Sequence, residues 1–234
     1  MRAEDLKGWL ATARRGETER ETTTKDSGGG GERECQTEAE GHWGRFVELI
    51  QTSFRGGELE EEATWQAVVL IPKGKGDYRG IGLMEVMWKV VAVILNFRLT
   101  SSITFHDVLH GFRAGRGTGT ATLEAKLLQQ IAAVREEVLY VIFLDLTKAY
   151  DALDRSRCLG ILEGYGIGPG ARRLLRNYWR RLTMAARSGG YYGTSSKGEQ
   201  GVTQGKPLSP TLFNVVVDAV VRHWLVGLQA EKYE

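Results

Sequence analysis

The sequence predicts an α+β fold, on three observations. Short apolar or alternating runs bounded by Gly, Pro and Asp mark strands at 65–71, 78–83 and 138–144, and in short pieces over 183–202. Segments with apolar residues at helical spacing mark helices at 42–55, 84–99, 121–137, 154–163, 171–182 and 209–228. The first two strands are parted only by PKGKGD, too short for a helical crossover, so they return on each other as an antiparallel hairpin.

In chain order, residues 1–41 read as a disordered leader or linker. RRGETERETTTKDSGGGGEREC is charged, Thr-rich and interrupted by four glycines, and buries too little apolar surface to order itself. Residues 42–234 form the folded domain. The helix at 42–55 sets Trp43, Phe46, Val47, Ile50 and Phe54 on one face. WQAVVLI and YRGIGL form the hairpin, with Gly74, Gly76 and Asp77 at its turn. Met84–Leu99 is a mostly buried helix with Glu85, Lys89 and Asn96 on a narrow polar stripe. GFRAGRGTGT is a Gly/Arg loop whose Thr118 or Thr120 caps the helix that follows.

The run Val138–Leu144 is short and rich in β-branched and aromatic residues, which predicts a strand buried on both faces and ending at Asp145. Asp154 caps the next helix, and glycines at 164, 166, 168 and 170 break the chain. ARRLLRNYWRRL then lines up Arg172, Arg176 and Arg180 at i, i+4, i+8, with Leu175, Tyr178 and Leu182 turned away. Ser209 and Pro210 start the last helix, which presents Phe213, Val216, Val217, Val220 and Trp224.

Charge is divided unevenly. Residues 1–62 hold nine Lys/Arg and fifteen Asp/Glu, a net of −6, whereas residues 63–234 hold twenty-two and fourteen, a net of +8. A basic folded domain suits a partner carrying phosphates. Two cysteines, Cys35 and Cys158, give no disulfide framework. His106 and His110 stand four apart without a third ligand nearby and read as ordinary polar histidines. No secretory signal pattern opens the chain, and Lys89, Asp145 and Asp218 interrupt the longest apolar runs, so no membrane is expected.

Four segments bear chemistry: IPKGKGDYR at 71–79, HGFRAGRGT at 110–118, FLDLTKAYD at 143–151 and GVTQGKPLSPTLFN at 201–214. An acid at the end of an apolar strand is a cap, an ion-pair partner or a metal ligand, because an unpaired charge there is costly. The Gly/Arg loop does not match a phosphate loop, since no Gly-Lys-Ser/Thr follows.

Together and in this order, these strings resemble reverse transcriptases, the RNA-directed DNA polymerases, most closely those of group II introns and non-long-terminal-repeat retroelements. The resemblance covers about residues 43–228. It implies fingers and part of a palm with a mainly antiparallel sheet, and template-directed transfer of deoxynucleoside triphosphates (dNTPs) to a primer 3′-hydroxyl. It further implies Mg²⁺ as cofactor, and an RNA template with a DNA primer, or intron RNA, as partners. The setting implied is intracellular, cytoplasmic or nuclear. Such chemistry uses two ions ~4 Å apart held by hard oxygen ligands.

By the resemblance, Asp145 is the first metal-binding aspartate and the backbone carbonyl of Leu146 joins it. Tyr150 packs under the incoming sugar. Lys73 and Arg79 hold the triphosphate, with Lys75 assisting or simply solvated. Gln204 and Gly205 pack against the nascent base pair, and Arg113 and Arg116 contact template or its backbone. The Arg172, Arg176, Arg180 stripe either tracks nucleic acid or is a solvated face.

Three features depart from the family pattern. Lys206 stands where an acidic or small residue is usual, which sets a cation beside the nucleotide site. Gly80 follows Arg79 where Pro is commoner, and His110 precedes Gly-Phe where Gln is frequent. No adjacent Asp-Asp occurs, so the Tyr-x-Asp-Asp motif with the second set of metal-binding carboxylates is missing. The expectation is a chain truncated before that motif, lacking the second half of the palm and the thumb, and inactive by itself. Two alternatives stay open: a maturase-like RNA-binding protein without catalysis, and a functionless retroelement relic.

Overall fold

A computed structural model describes residues 31–59, 61–74 and 77–230, so the expectations for residues 1–30 and for Lys75 lie outside the described residues. The chain divides into two units, residues 1–51 and 52–234. Helix α1, Gly31–Gly56, begins eleven positions before the expected boundary at 42. Glu32, Arg33, Glu34 and Glu38, read as leader composition, are also good helix formers, and they carry the helix back to Gly31.

The second unit is α+β. After a short 3₁₀ turn at Glu62–Thr64 come β1 (Trp65–Gly74) and β2 (Asp77–Met84), paired antiparallel from Gln66↔Met84 to Pro72↔Tyr78, with a register shift before Gly74. Helix α2 (Val86–Ser102) follows; the Glu85 carboxylate accepts from the Met87 amide at 2.5 Å, so Glu85 is its cap and not part of its polar stripe. Then come α3 (Thr118–Val134), α4 (Arg155–Gly164), α5 (Pro169–Arg181), β3 (Thr183–Ser188), β4 (Tyr191–Tyr192), β5 (Ser196–Lys197) and α6 (Ser209–Ala230). The sheet runs β2-β1-β3-β4, with β5 also on β3. Only β1 with β3 is parallel, from Trp65↔Thr183 to Val69↔Arg187; the other pairings are antiparallel.

The core lies between α2, α4, α5 and the first half of α6. Trp88, Val91, Leu95, Leu99, Leu162, Leu174, Leu175, Leu182, Leu212 and Val215 are fully buried or nearly so. Each such side chain contributes about 1.5–3 kcal/mol by leaving water. Asp154 caps α4, accepting from the Ser156 and Arg157 amides at 2.8 and 3.0 Å.

One expectation about burial is overturned. Val138–Leu144 is no strand: Tyr140 is 86%, Phe143 92% and Leu144 87% exposed. No strand lies beside it among the described residues, and an apolar run without a pairing neighbour has no sheet to enter. The apolar face of α3, with Leu123, Leu127, Leu128 and Ile131, is likewise uncovered, and α3 buries no residue.

In α6 the buried face is Thr211, Leu212, Asn214, Val215 and Asp218, whereas Val220 and Trp224 are each 62% exposed. The reason is polar: Thr211 donates to Asn96 Oδ1 (2.6 Å), and Asn214 donates to the Gly111 carbonyl (2.8 Å). Asp218 accepts from the His106 amide (2.6 Å), Arg222 (2.6 Å) and the Tyr165 hydroxyl. These bonds turn the helix so that its polar residues reach partners. By length and composition Ser209–Leu228 is apolar enough to cross a membrane, contrary to the sequence expectation. Its first half is buried and carries the paired Asp218, whereas Val220, Trp224 and Val226 in its second half are exposed.

Candidate functional site

The turn after Asp145 and the loop before α6 are laced together. The Val202 amide donates to the Tyr150 carbonyl at 2.8 Å, and the Gly201 amide to the Leu153 carbonyl at 2.9 Å. Gly201 has φ +76°, and a Cβ there would stand 2.6 Å from the Asp151 carbonyl oxygen and 2.8 Å from that of Tyr150. Only glycine permits that approach. Lys148, at φ 50°, bends the turn from within.

Arg155, at the start of α4, staples the other side. Its guanidinium donates to the carbonyls of Gly201 (2.8 Å), Gln200 (3.1 Å) and Gly198. The loop then meets the hairpin: the Gly82 amide donates to the Gln204 carbonyl at 3.2 Å, and Gln66 Nε2 donates to Thr203 Oγ1 at 3.1 Å. Gln66 is fully buried, and its Oε1 has no hydrogen-bond partner among the described residues.

These contacts enclose a cleft of about 1290 Å³. Lys73, Arg79, Asp145, Leu146, Tyr150 and Gln204 all line it. Side chains from the hairpin, the turn after Asp145 and the last loop, far apart in sequence, thus open on one space. Gly205 is not in the lining. It stands behind Gln204 at φ +88°, where a Cβ would lie 2.9 Å from Ile81 Cγ2. Tyr150 is held from two sides, stacked on Phe213 (5.2 Å, 25°) and edge-on to Phe112 (6.5 Å, 82°). Burial raises its phenol pKa, so the hydroxyl keeps its proton.

The cationic residues are less uniform than their spacing suggested. Arg113 donates to the carbonyls of His106 (2.8 Å) and Leu109 (3.0 Å). Arg116 pairs with Asp107 at 2.6 Å. Both therefore brace their own loop, away from the cleft, because a guanidinium with five donors is satisfied by the nearest carbonyls. Arg172 pairs with Glu163 at 2.8 Å and donates to the Ile167 carbonyl, so it leaves the stripe. Arg176 and Arg180 stay exposed on α5 and make no salt bridge among the described residues.

Lys206 is a further correction: it is 8% exposed and not in the cleft lining. Its Nζ lies 2.5 Å from the Tyr178 hydroxyl. His110 bonds Thr120 and Glu124, at 2.8 and 2.7 Å.

Sequence reading missed Arg155, Gln66, Thr203 and Gly201, whose roles are to hold the loop. Only Gly201 carried a signal, as a glycine two residues before the Thr-Gln-Gly string. The cleft also admits Lys148, Asp151, Lys197 and Glu199.

As a home for Mg²⁺ the site is partial. The Asp145 carboxylate and the Leu146 carbonyl are hard oxygen donors of the right kind. Among the described residues, however, no group of three or more His, Cys, Asp or Glu side chains could hold a metal ion. Asp77, Asp151 and Glu199 line the same cleft but do not gather with Asp145 into such a group, so among the described residues the ligands of a two-ion centre are not brought together.

Residues 71–233 match the sequence profile of the family described as reverse transcriptase (RNA-dependent DNA polymerase). The "Retrovirus-related Pol polyprotein from type-2 retrotransposable element R2DM" of Drosophila melanogaster is 28% identical over 71% of this chain and 16% of its own length. The corresponding type-1 R2 polyprotein of Popillia japonica is 28% identical over 74% of this chain and 25% of its own. The "Transposon TX1 uncharacterized 149 kDa protein" of Xenopus laevis is 26% identical over 78% and 15%. The chain thus spans a quarter or less of these curated relatives.

Proposed function

This chain belongs to the reverse transcriptase (RNA-dependent DNA polymerase) family, and from that premise we propose that it forms the nucleotide- and template-binding part of a retrotransposable-element polymerase, taking up a dNTP opposite an RNA template. The observation that carries this reading is the shared cleft of Lys73, Arg79, Asp145, Leu146, Tyr150 and Gln204.

In it Arg79 forks onto triphosphate oxygens and Lys73 adds a point charge. The Tyr150 ring, fixed between Phe112 and Phe213, is a wall against a ribose 2′-hydroxyl. Gln204, held through its carbonyl by Gly82, presents a side chain able to donate and accept beside the base pair. Gly205 lets the backbone approach. In this reading β1 and β2 are fingers, and the turn after Asp145 with α4 and α6 belongs to the palm. The kinship proposed is with non-long-terminal-repeat elements and, more distantly, group II introns.

Transfer itself needs hard ligands that the described residues do not bring together, so these residues bind substrates without joining them. The uncovered Val138–Leu144 run beside Asp145 supports the same conclusion. Primer extension on an RNA template tests it. Template-dependent product that disappears on Asp145→Ala would overturn the proposed inactivity. Loss of dNTP binding on Lys73→Ala with Arg79→Ala is the result expected of the binding reading.

The incomplete donor set also favours a second reading, maturase-like RNA binding without synthesis. It predicts salt-dependent RNA affinity that survives Asp145→Ala and falls when Arg176 and Arg180 are neutralised. Affinity indifferent to both changes would discard it.

A further inference from the structure

Besides the Ser209 hydroxyl, which donates to the Thr203 carbonyl at 2.8 Å, the turn carrying Gln204 and Gly205 has two anchorages. One is the hairpin, through the Gln204 bond to Gly82, the Ile81↔Gln204 bridge and the Gln66–Thr203 bond. The other is Lys206, the next residue, which turns away from the cleft into the core. Its stem enters a pocket lined by Trp88 and Ala92 of α2, Leu175, Tyr178 and Trp179 of α5, Arg155 of α4, and Leu208, Ser209 and Leu212 beside it.

At the end of the stem, Nζ meets the Tyr178 hydroxyl at 2.5 Å and lies 4.8 Å from the centroid of that ring. Tyr178 cannot move aside, because Trp88 stacks on it at 3.7 Å with the planes 10° apart. The cavity around them, about 20 Å³, has room for one water at most.

The groups facing this amine decide its charge. From α4 comes Arg155, a cation already bonded to the carbonyls of Gly198, Gln200 and Gly201. From α5 comes Tyr178, whose phenol burial keeps protonated. From α2 and the start of α6 come no charged or titratable groups, and among the described residues no carboxylate or histidine lines the pocket. A neutral amine suits such a place, donating one N–H to the Tyr178 hydroxyl oxygen. An ammonium does not, since it brings three donors to one phenol oxygen and a second positive charge beside Arg155. Burial first and Arg155 second push the Lys206 pKa down to about 7.

We propose that Lys206 is a positioning residue: its neutral amine, bonded to Tyr178 against Trp88, seats the Gln204–Gly205 turn on the hairpin, and its protonation unseats the turn and so closes the cleft to nucleotide. The effect on nucleotide rests on the function proposed above; the seating of the turn does not. Lys206 acts through Gln204 and Gly205 and touches no substrate.

The test is amide hydrogen exchange across residues 201–206 and at Gly82 in the purified chain, corrected for intrinsic exchange, from about pH 8.5 down to about pH 5.5, a range that spans the shifted lysine. Protection falling at least about tenfold through neutrality is expected in the unaltered protein. Lys206→Met keeps a stem of similar length without a titrating group and should hold protection level over the whole range. Lys206→Arg, a permanent cation, should be unprotected throughout; should that variant not fold, the Met comparison decides alone.

The same fall in the Lys206→Met variant, or no fall in the unaltered chain, would overturn the proposal. Binding of dGTP with Mg²⁺, followed in parallel, should share the midpoint of the exchange profile. Protection that titrates while dGTP binds at no pH would leave the seating intact and remove the nucleotide reading instead.

Discussion

The junction of the 150–155 turn with the 198–209 loop and the segment from α3 to Leu144 share one unit and differ in almost every physical respect. At the junction, main-chain groups from distant parts of the chain are matched one to one: Val202 with Tyr150, Gly201 with Leu153, Gln204 with Gly82, and Arg155 with three carbonyls. Along α3 and Val138–Leu144 apolar side chains are abundant, but among the described residues none is buried. The first region shows what fixes a binding site, which is geometry imposed by hydrogen bonds. The second shows that hydrophobicity alone fixes nothing until a partner surface exists.

The largest effect that would break this contrast is expected at Gly201. Gly201→Ala forces a Cβ into the Asp151 and Tyr150 carbonyls and should cost about 3 kcal/mol or more, read from denaturant midpoints. A cost below about 1 kcal/mol would mean that the junction yields easily.

Next comes Asp218, where burial pushes the carboxyl pKa up, and the bonds from Arg222, Tyr165 and the His106 amide outweigh burial and hold it below its ordinary value. Asp218→Ala should cost about 3 kcal/mol. Because the folded pKa is the lower one, this contribution is present above about pH 4 and is lost as pH falls through the folded value. A stability profile between about pH 3 and pH 6 identical in Asp218→Asn and the unaltered chain would contradict it.

Lys206 works in the opposite sense. Its folded pKa, about 7, lies below the ordinary 10.5, so the unfolded chain holds the proton between these values and stability rises with pH across that window. Lys206→Met should remove the rise and add roughly 2–4 kcal/mol at neutral pH, measured by chemical denaturation.

The smallest effects sharpen the other side of the contrast. Leu128→Gln and Phe143→Ser should cost little, Phe143→Ser within about 0.5 kcal/mol and Leu128→Gln below about 1 kcal/mol, since Phe143 is almost wholly exposed and Leu128 half exposed. A cost above about 2 kcal/mol would show that this face is buried in solution.

Much of the site was legible because it is local chemistry at the ends of elements. Lys73 and Arg79 flank a turn that Gly74 and Asp77 announce, and Tyr150 and Gln204 sit in distinctive strings. The hairpin, the Asp154 cap and the buried face of α5 follow from spacing in the same way. What was not legible depends on partners remote in sequence. Whether Val138–Leu144 is a strand depends on a neighbour that spacing cannot supply. Arg113, Arg116 and Arg172 look free in sequence and are consumed by His106, Asp107 and Glu163. The face that α6 buries was chosen by Asp218, Asn214 and Thr211, polar residues to which an apolar count gives no weight.

The parallel pairing of β1 with β3 has one more consequence. It joins a strand from the front of the unit to one that follows α5, across everything between them in sequence. Further ties cross the same divide: Gln66 to Thr203, Asn96 to Thr211, Gly111 to Asn214 and His106 to Asp218. The uncovered stretch at 138–144 is the natural place for a protease to cut. A chain severed there should not fall apart; the pieces, produced separately, should recognise each other and rebuild the cleft as a two-part protein.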